Sequence, residues 1–366
     1  MNTQLNIAFL GSSLVSAYWN GAATYYRGLI RALDGRGHRI TFYEPDAFER
    51  QQHRDMEDPP WAKVVVYPPD PVAIEEVLEN AGSADIVVKA SGVGVYDALL
   101  EREVLSLRRP GNRIIFWDVD APATLERIRN DPEDPFRSLI PRYDLIFTYG
   151  GGRAVVDEYR GWGAQSCVPI YNALDPITHH PVRPNYKYAG LLGFLGNRLP
   201  DREQRVREFF LKPALDFPDD RFLLGGNGWE SAPDIPANVR RLGHVYSQSH
   251  NAFNCTPRAV ININRDSMAR VGFSPPTRVF EAAGAGACLI VDAWEGIEAF
   301  LEPGKEVLVA HDGNEVSEHL GRLTPARAAE VGRAALKRVL SQHTYAQRAL
   351  QVEGILEGKP TREVAA

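Results

Sequence analysis

Short apolar runs alternate with amphipathic stretches along nearly the whole chain. Residues 5–10, 39–43, 63–67, 85–90, 113–117, 145–148 and 166–170 are strand-length and apolar. Between them apolar residues recur at helical spacing, as at Tyr25, Leu29, Ile30 and Leu33. Parallel strands need a long crossover, usually a helix, whereas antiparallel strands need only a tight turn. The alternation therefore predicts an α/β fold on parallel sheets. Ligands in such sheets bind beyond the carboxyl ends of the strands. The small-residue loops at 11–23, 91–94, 118–122 and 149–153 lie there and are expected to converge on one crevice.

The pattern breaks between Asp175 and Asn185, where Pro176, Pro181 and Pro184 cluster. It resumes with apolar runs at 190–194, 221–224, 259–263, 288–292 and 306–310, and closes with helical stretches near 313–323, 325–340 and 344–357. A chain of 366 residues accommodates two domains. The expected division is a first Rossmann-like domain over 1–175, a linker over 176–187, a second Rossmann-like domain over 188–343, and a C-terminal helix and tail over 344–366.

Composition excludes several classes. No apolar run reaches the roughly 18 residues of a membrane span, and residues 5–10 read as a first strand rather than a signal core. Cys167, Cys255 and Cys288 fit no metal or disulfide spacing, so a reducing, cytoplasmic setting is expected. Residues 1–175 hold 18 Lys+Arg against 25 Asp+Glu, which argues against nucleic acid or an anionic membrane as partner.

The stretch Ser274–Ala287 concentrates the candidate chemistry. Pro275 and Pro276 fit the first turn of a helix, with Ser274 as its N-cap. Such a terminus offers unpaired N–H groups and partial positive charge to a phosphate. Glu281 stands one turn beyond Thr277 on the same face. A phosphate seat backed by a carboxylate suits a sugar nucleotide, with ribose hydroxyls on the carboxylate. An ordinary helix feeding the strand at 288–292 accounts for the same spacing. Arg198 and Arg202 flank an earlier loop, and Arg265 and Arg278 border later ones; their forks match phosphate oxygens, although surface ion pairing also occupies most arginines. The hydroxyls of Ser274 and Thr277 fit the same phosphate. Asp118 and Asp120 end a strand, where either suits a general base and Asp120 also suits a helix N-cap. His38 reads as structural, and His179 and His180 as solvated linker residues.

Several segments recur in an order that resembles a known family. They are Gly21-Ala22-Ala23-Thr24-Tyr25 with Gly37-His38-Arg39-Ile40, then Tyr171-Asn172-Ala173-Leu174-Asp175, then Gly193-Phe194-Leu195-Gly196-Asn197-Arg198. Val239-Arg240-Arg241-Leu242-Gly243-His244-Val245 and Arg278-Val279-Phe280-Glu281-Ala282-Ala283-Gly284 follow. Together they resemble the two-Rossmann (GT-B) glycosyltransferases of group 1, in the branch of the CgeB spore-maturation proteins.

The resemblance implies a GT-B fold: two Rossmann-like domains facing a central cleft, with the C-terminal helix crossing back to the first domain. It implies transfer of a sugar from a nucleotide-diphosphate sugar, UDP-sugar favoured, to a hydroxyl acceptor such as a carbohydrate. Neither metal nor other cofactor is expected. By this likeness Glu281, Arg278, Thr277, Ser274, Arg198, Asn197, Gly196, Arg265, Arg202 and His244 serve the donor, with His244 near the base. Asn20, Gly21, Ala22 and Ala23 form the acceptor loop, and Asp118 or Asp120 is the base. A strand followed by Asp-x-Asp also resembles the metal site of the other glycosyltransferase fold, GT-A, which lacks a second Rossmann-like unit. One departure stands out: Phe273 occupies the place of the first of two glutamates that the larger family often carries. The alternatives are a non-hydrolysing nucleotide-sugar epimerase and a non-catalytic sugar- or nucleotide-binding structural protein on the same fold.

Overall fold

Seven parallel strands make the first sheet, in the order β3-β2-β1-β4-β5-β6-β7. They are β1 Asn6–Leu10, β2 Arg39–Pro45, β3 Lys63–Tyr67, β4 Ile86–Ala90, β5 Arg113–Asp118, β6 Leu145–Thr148 and β7 Cys167–Pro169. The order reverses at β1, whose Ile7 pairs with Ile40 of β2 on one side and Ile86 of β4 on the other. β4 is buried at every position because central parallel strands are covered on both faces. Its one charge, Lys89, is satisfied by Asp97 Oδ1 at 2.7 Å and the Ala90 carbonyl at 2.6 Å.

The second sheet runs β10-β9-β8-β11-β12-β13, again all parallel. Its strands are β8 Leu192–Leu195, β9 Phe222–Gly225, β10 Val239–Gly243, β11 Ala259–Asn262, β12 Leu289–Asp292 and β13 Leu308–Ala310. β10 has no counterpart among the expected apolar runs. As an edge strand it exposes Arg240 and Arg241, which interrupt the apolar pattern. Phe194, Leu224, Ile261 and Ile290 from four adjacent strands meet Phe210 and Val331 in one core.

The computed structural model describes residues 4–359, so the last residues of the 344–366 segment lie outside them. The described residues fall into two compact units. The first runs to Tyr171 and includes the final helix Tyr345–Leu356; the second spans Asn172–Thr344. Residues 176–187, expected as a linker, belong to the second unit. Proline makes this backbone irregular, yet it is anchored: Val182 N–H donates to Cys255 Sγ and Asn185 N–H to Thr256 Oγ1.

The final helix packs on the helix Ala23–Asp34 of the first unit, where Gly28 leaves room for the Tyr345 ring. Glu353 then bridges Arg36 at 2.6 Å and His38 Nε2 at 2.9 Å. No helix among the described residues is long and apolar enough to cross a membrane.

Candidate functional site

In the second unit the segments after β8, β10 and β11 and the segment before β12 carry the expected donor residues. The loop after β8 is drawn against the loop after β9. Asn197 Oδ1 accepts from Asn227 N–H at 3.0 Å, and Arg198 N–H donates to the Asn227 carbonyl at 2.9 Å. Gly226 adopts φ +122°, and a Cβ there would run into the Gly196 carbonyl oxygen. Only glycine permits that approach. A Cβ on Gly196 would lie 2.7 Å from Arg202 Nη1, so this glycine opens the space that the Arg202 guanidinium fills.

The arginines divide by what holds them. Arg198 is spent on a bidentate pair with Glu203, at 2.8 and 2.9 Å. Arg265 Nε donates to Asp201 Oδ2 at 3.0 Å, with Ser267 Oγ on the same oxygen at 2.8 Å. Arg202 differs: its Nε is sealed from solvent and has no hydrogen-bond partner. Burial first, then the charges of Arg278 and Arg265, lower the Arg202 guanidinium to about 10. Asp292 and Asp201 oppose that lowering, and a bound anion would act in the same sense.

The helix Thr277–Gly284 begins two residues later than its prolines suggested. Pro276 is its N-cap, in extended conformation, and no side chain caps it. Ser274 is therefore not the cap: buried, it turns its hydroxyl to the Gly272 carbonyl at 2.8 Å. Thr277 is the first helical residue, so its N–H group belongs to the open end.

Glu281 lies one turn in and is buried. Arg278 Nη1 stands 2.9 Å from its Oε2, and His179 Nε2 is 3.9 Å from Oε1. Burial raises this carboxyl, but Arg278, His179 and His250 outweigh burial and hold it at about 2. It is ionised at neutral pH. Even so, Oε2 accepts no directed hydrogen bond.

His250 completes the group. Its Nε2 lies 3.0 Å from the Val245 carbonyl and must donate there, so Nδ1 is the acceptor for Arg278 Nη1 at 3.2 Å. Burial first, then Arg278, lowers this imidazole to about 3, which keeps it neutral. His179, His250 and Glu281 have ligand atoms close enough to share a metal ion. The Arg278 guanidinium already contacts two of the three, however, and an ion would have to displace it.

His179 thus corrects the linker expectation: it is buried against Glu281 rather than solvated. His244, expected near the base, sits exposed after β10 and packs edge-on against Tyr246.

In the first unit the expected loops do converge. Ser91 Oγ donates to Asp118 Oδ1 at 2.7 Å, and Tyr149 N–H to the Asp118 carbonyl at 3.1 Å. Asp118 itself is fully buried. Its carboxylate also receives Tyr159 O–H at 2.5 Å, Thr124 O–H at 3.0 Å and Asp120 N–H at 3.0 Å. Burial raises its pKa, and the bonds from Tyr159, Ser91 and the Asp120 N–H oppose that. A side chain so enclosed positions the loop and is not a base for an incoming hydroxyl. Asp120 is half-buried, and its side chain makes no capping hydrogen bond. Asn20 is also internal: it accepts from Ser12 O–H and donates to the Ser13 and Ser16 carbonyls. Gly21 remains exposed with open space above it, beside Ala22 at the uncapped start of the helix Ala23–Asp34.

Residues 202–354 match a family model described as glycosyl transferase-like. No curated protein matches the chain in sequence. Among solved structures, sucrose-phosphate synthase from Thermosynechococcus elongatus superposes with a TM-score of 0.68 at 13% identity, covering 97% of this chain and 99% of that one. The Anabaena protein HepE, in complex with UDP and glucose, gives 0.68 at 15%, covering 97% and 100%. AviGT4, a glycosyltransferase involved in avilamycin A biosynthesis, gives 0.60 at 18%, covering 97% and 98%. Residues 202–354 are thus similar to a glycosyl transferase-like family, and the chain has the fold of two parallel-sheet units seen in GT-B glycosyltransferases.

Proposed function

We propose that the protein transfers a sugar from a nucleotide-diphosphate sugar, preferably a UDP-sugar, to a hydroxyl acceptor without a metal ion. The observation that carries this reading is Glu281, a buried, ionised carboxylate whose Oε2 has no directed donor. Ribose hydroxyls are donors of the right kind for it. The diphosphate then falls toward Arg202, Arg265 and Arg278 and the open end of the helix Thr277–Gly284. The uridine preference is supported by the UDP bound in the HepE structure.

In the reaction the bond from the anomeric carbon to the diphosphate oxygen breaks, and its electron pair leaves with the nucleotide. The arginines stabilise that negative charge as it develops, which is the usual service of a divalent ion. A bond forms from the acceptor oxygen to the anomeric carbon, and the acceptor proton passes to a base. Asp120 is the base of this proposal, since Asp118 is enclosed.

Isothermal titration with UDP, GDP and UDP-glucose tests the donor half. We expect UDP and UDP-glucose to bind, and Glu281→Gln to weaken both. No nucleotide binding, or equal binding in the variant, removes this reading. A donor-only incubation separates transfer from epimerisation.

A further inference from the structure

We infer that the acceptor is a saccharide whose ring stacks on an aromatic rim of the first unit, with Trp19 as its platform; this rests on the glycosyltransferase reading above. Trp19, Phe48 and Tyr96 are 61%, 53% and 42% exposed. They come from the loops after β1, β2 and β4, which are neighbours in the sheet. Single exposed apolar residues are ordinary. These are not, because each is held in left-handed backbone, at φ 47°, 57° and 53°. Bulky residues avoid that region, and they persist there only where the surroundings impose it, most often at ligand sites. Glu49, beside Phe48, shares the conformation at φ 57°.

The surroundings do impose it. Arg50 reaches inward to the Ser12 and Val93 carbonyls and lays its guanidinium 5.0 Å from the Phe48 ring centroid. The Phe48 ring in turn covers Gly94. Tyr18 stacks on His53 with centroids 4.0 Å apart, and Trp19 meets Tyr18 edge-on at 6.3 Å. The rim is thus a built surface.

Its chemistry selects the ligand. A pyranose presents a face of polarised C–H groups and an edge of hydroxyls. The C–H face suits the electron-rich face of an indole or phenol. The hydroxyl edge needs acceptors, and Glu49 next to Phe48 and His53 stacked on Tyr18 are both exposed. Among the described residues of this rim the arginines are engaged, which disfavours a phosphorylated or acidic acceptor: Arg50 is turned inward, Arg27 is paired with Asp55 and Arg54 with Asp58. A purely apolar acceptor makes no use of the carboxylate and imidazole.

The test uses the full chain with maltose, cellobiose, lactose and chitobiose as probes, and a planar flavonol as the competing class. Tryptophan fluorescence reads binding, UDP release from UDP-glucose reads turnover, and calorimetry reads donor affinity. We expect at least one disaccharide to quench fluorescence and accept glucose. Trp19→Ala should raise its KM about tenfold, the size of one lost aromatic contact, with kcat and donor affinity nearly unchanged. Trp19→Phe, which keeps a ring, should restore most of the KM. A disaccharide KM indifferent to Trp19→Ala, quenching by no disaccharide, or turnover of the flavonol alone overturns the inference while donor binding persists. Failure of UDP-glucose to bind the unmutated protein overturns the glycosyltransferase reading, and this inference with it.

Discussion

Glu281 Oε2 and Arg278 Nη1 stand 2.9 Å apart without a directed hydrogen bond between them. The two residues face each other from adjacent turns of the helix Thr277–Gly284. Their contact is Coulombic. It holds the carboxyl ionised under burial yet leaves its lone pairs open to another donor.

The arrangement separates charge from hydrogen bonding in one experiment. Glu281→Gln keeps size and removes the charge. Nucleotide affinity should fall about tenfold to a hundredfold, the worth of hydrogen bonds to a charged group. Melting temperature should fall as well, because Arg278 is left without its carboxylate. Calorimetry on UDP-glucose and a thermal melt check both halves. Over mildly acidic pH the native protein should bind donor evenly as far as Glu281 is concerned, since this carboxyl stays ionised down to about 2.

His250 gives a pH prediction of definite sign. Its folded value is lowered from 6.5 to about 3 by burial and by Arg278, so the unfolded chain binds the proton first. Stability is therefore lost as pH falls through 6.5 and continues to fall toward about 3. Glu281 adds a loss of the same direction at lower pH, below the ordinary carboxyl value of 4.5. His250→Gln should flatten the upper part of this decline, read as melting temperature against pH. An unchanged slope would place the acid sensitivity elsewhere.

The sheets were legible because burial on both faces writes strands as apolar runs, and Glu281 because helical spacing put it behind Thr277. What the spacing of residues does not carry is whether an irregular stretch is buried. The segment holding His179 is rich in proline and still pinned to the helix His250–Cys255. His179 and His250 meet Glu281 from distant parts of the chain, and no periodicity links them. The arginines misled for a related reason: Glu203, five residues on, captures Arg198, whereas Arg202 is left with a free Nε. The edge strand β10 was hidden by its own exposure.

Two glycines of the donor loops should respond differently to alanine. At Gly196 the new methyl meets side chains, the far end of Arg202 at 2.7 Å and the Phe194 ring at 2.9 Å, which can give more readily than backbone. Gly196→Ala should fold and lose donor affinity as Arg202 is displaced. At Gly226 the methyl meets backbone, and φ +122° is closed to alanine. Gly226→Ala should cost more than about 1 kcal/mol of stability. Urea melts and calorimetry on both variants decide; equal stability loss would contradict the division.

Asp118 and Asp120 are two residues apart and should fail in opposite ways. Asp118→Ala removes the acceptor for Ser91, Thr124, Tyr159 and the Asp120 N–H, leaving buried donors unsatisfied. Each unsatisfied buried group costs about 1–3 kcal/mol, so this variant should be strongly destabilised or unfolded. Asp120→Ala removes no side-chain cap from the helix Ala121–Asn130 and touches a half-buried side chain, so it should be far less destabilised than Asp118→Ala. If Asp120 takes the acceptor proton, its kcat should drop by about a hundredfold or more while donor affinity holds. The pair of melts shows whether loss of activity at Asp118 is a folding effect. Retained kcat in Asp120→Ala, with the protein folded and binding UDP-glucose, would move the base to another residue of the first unit.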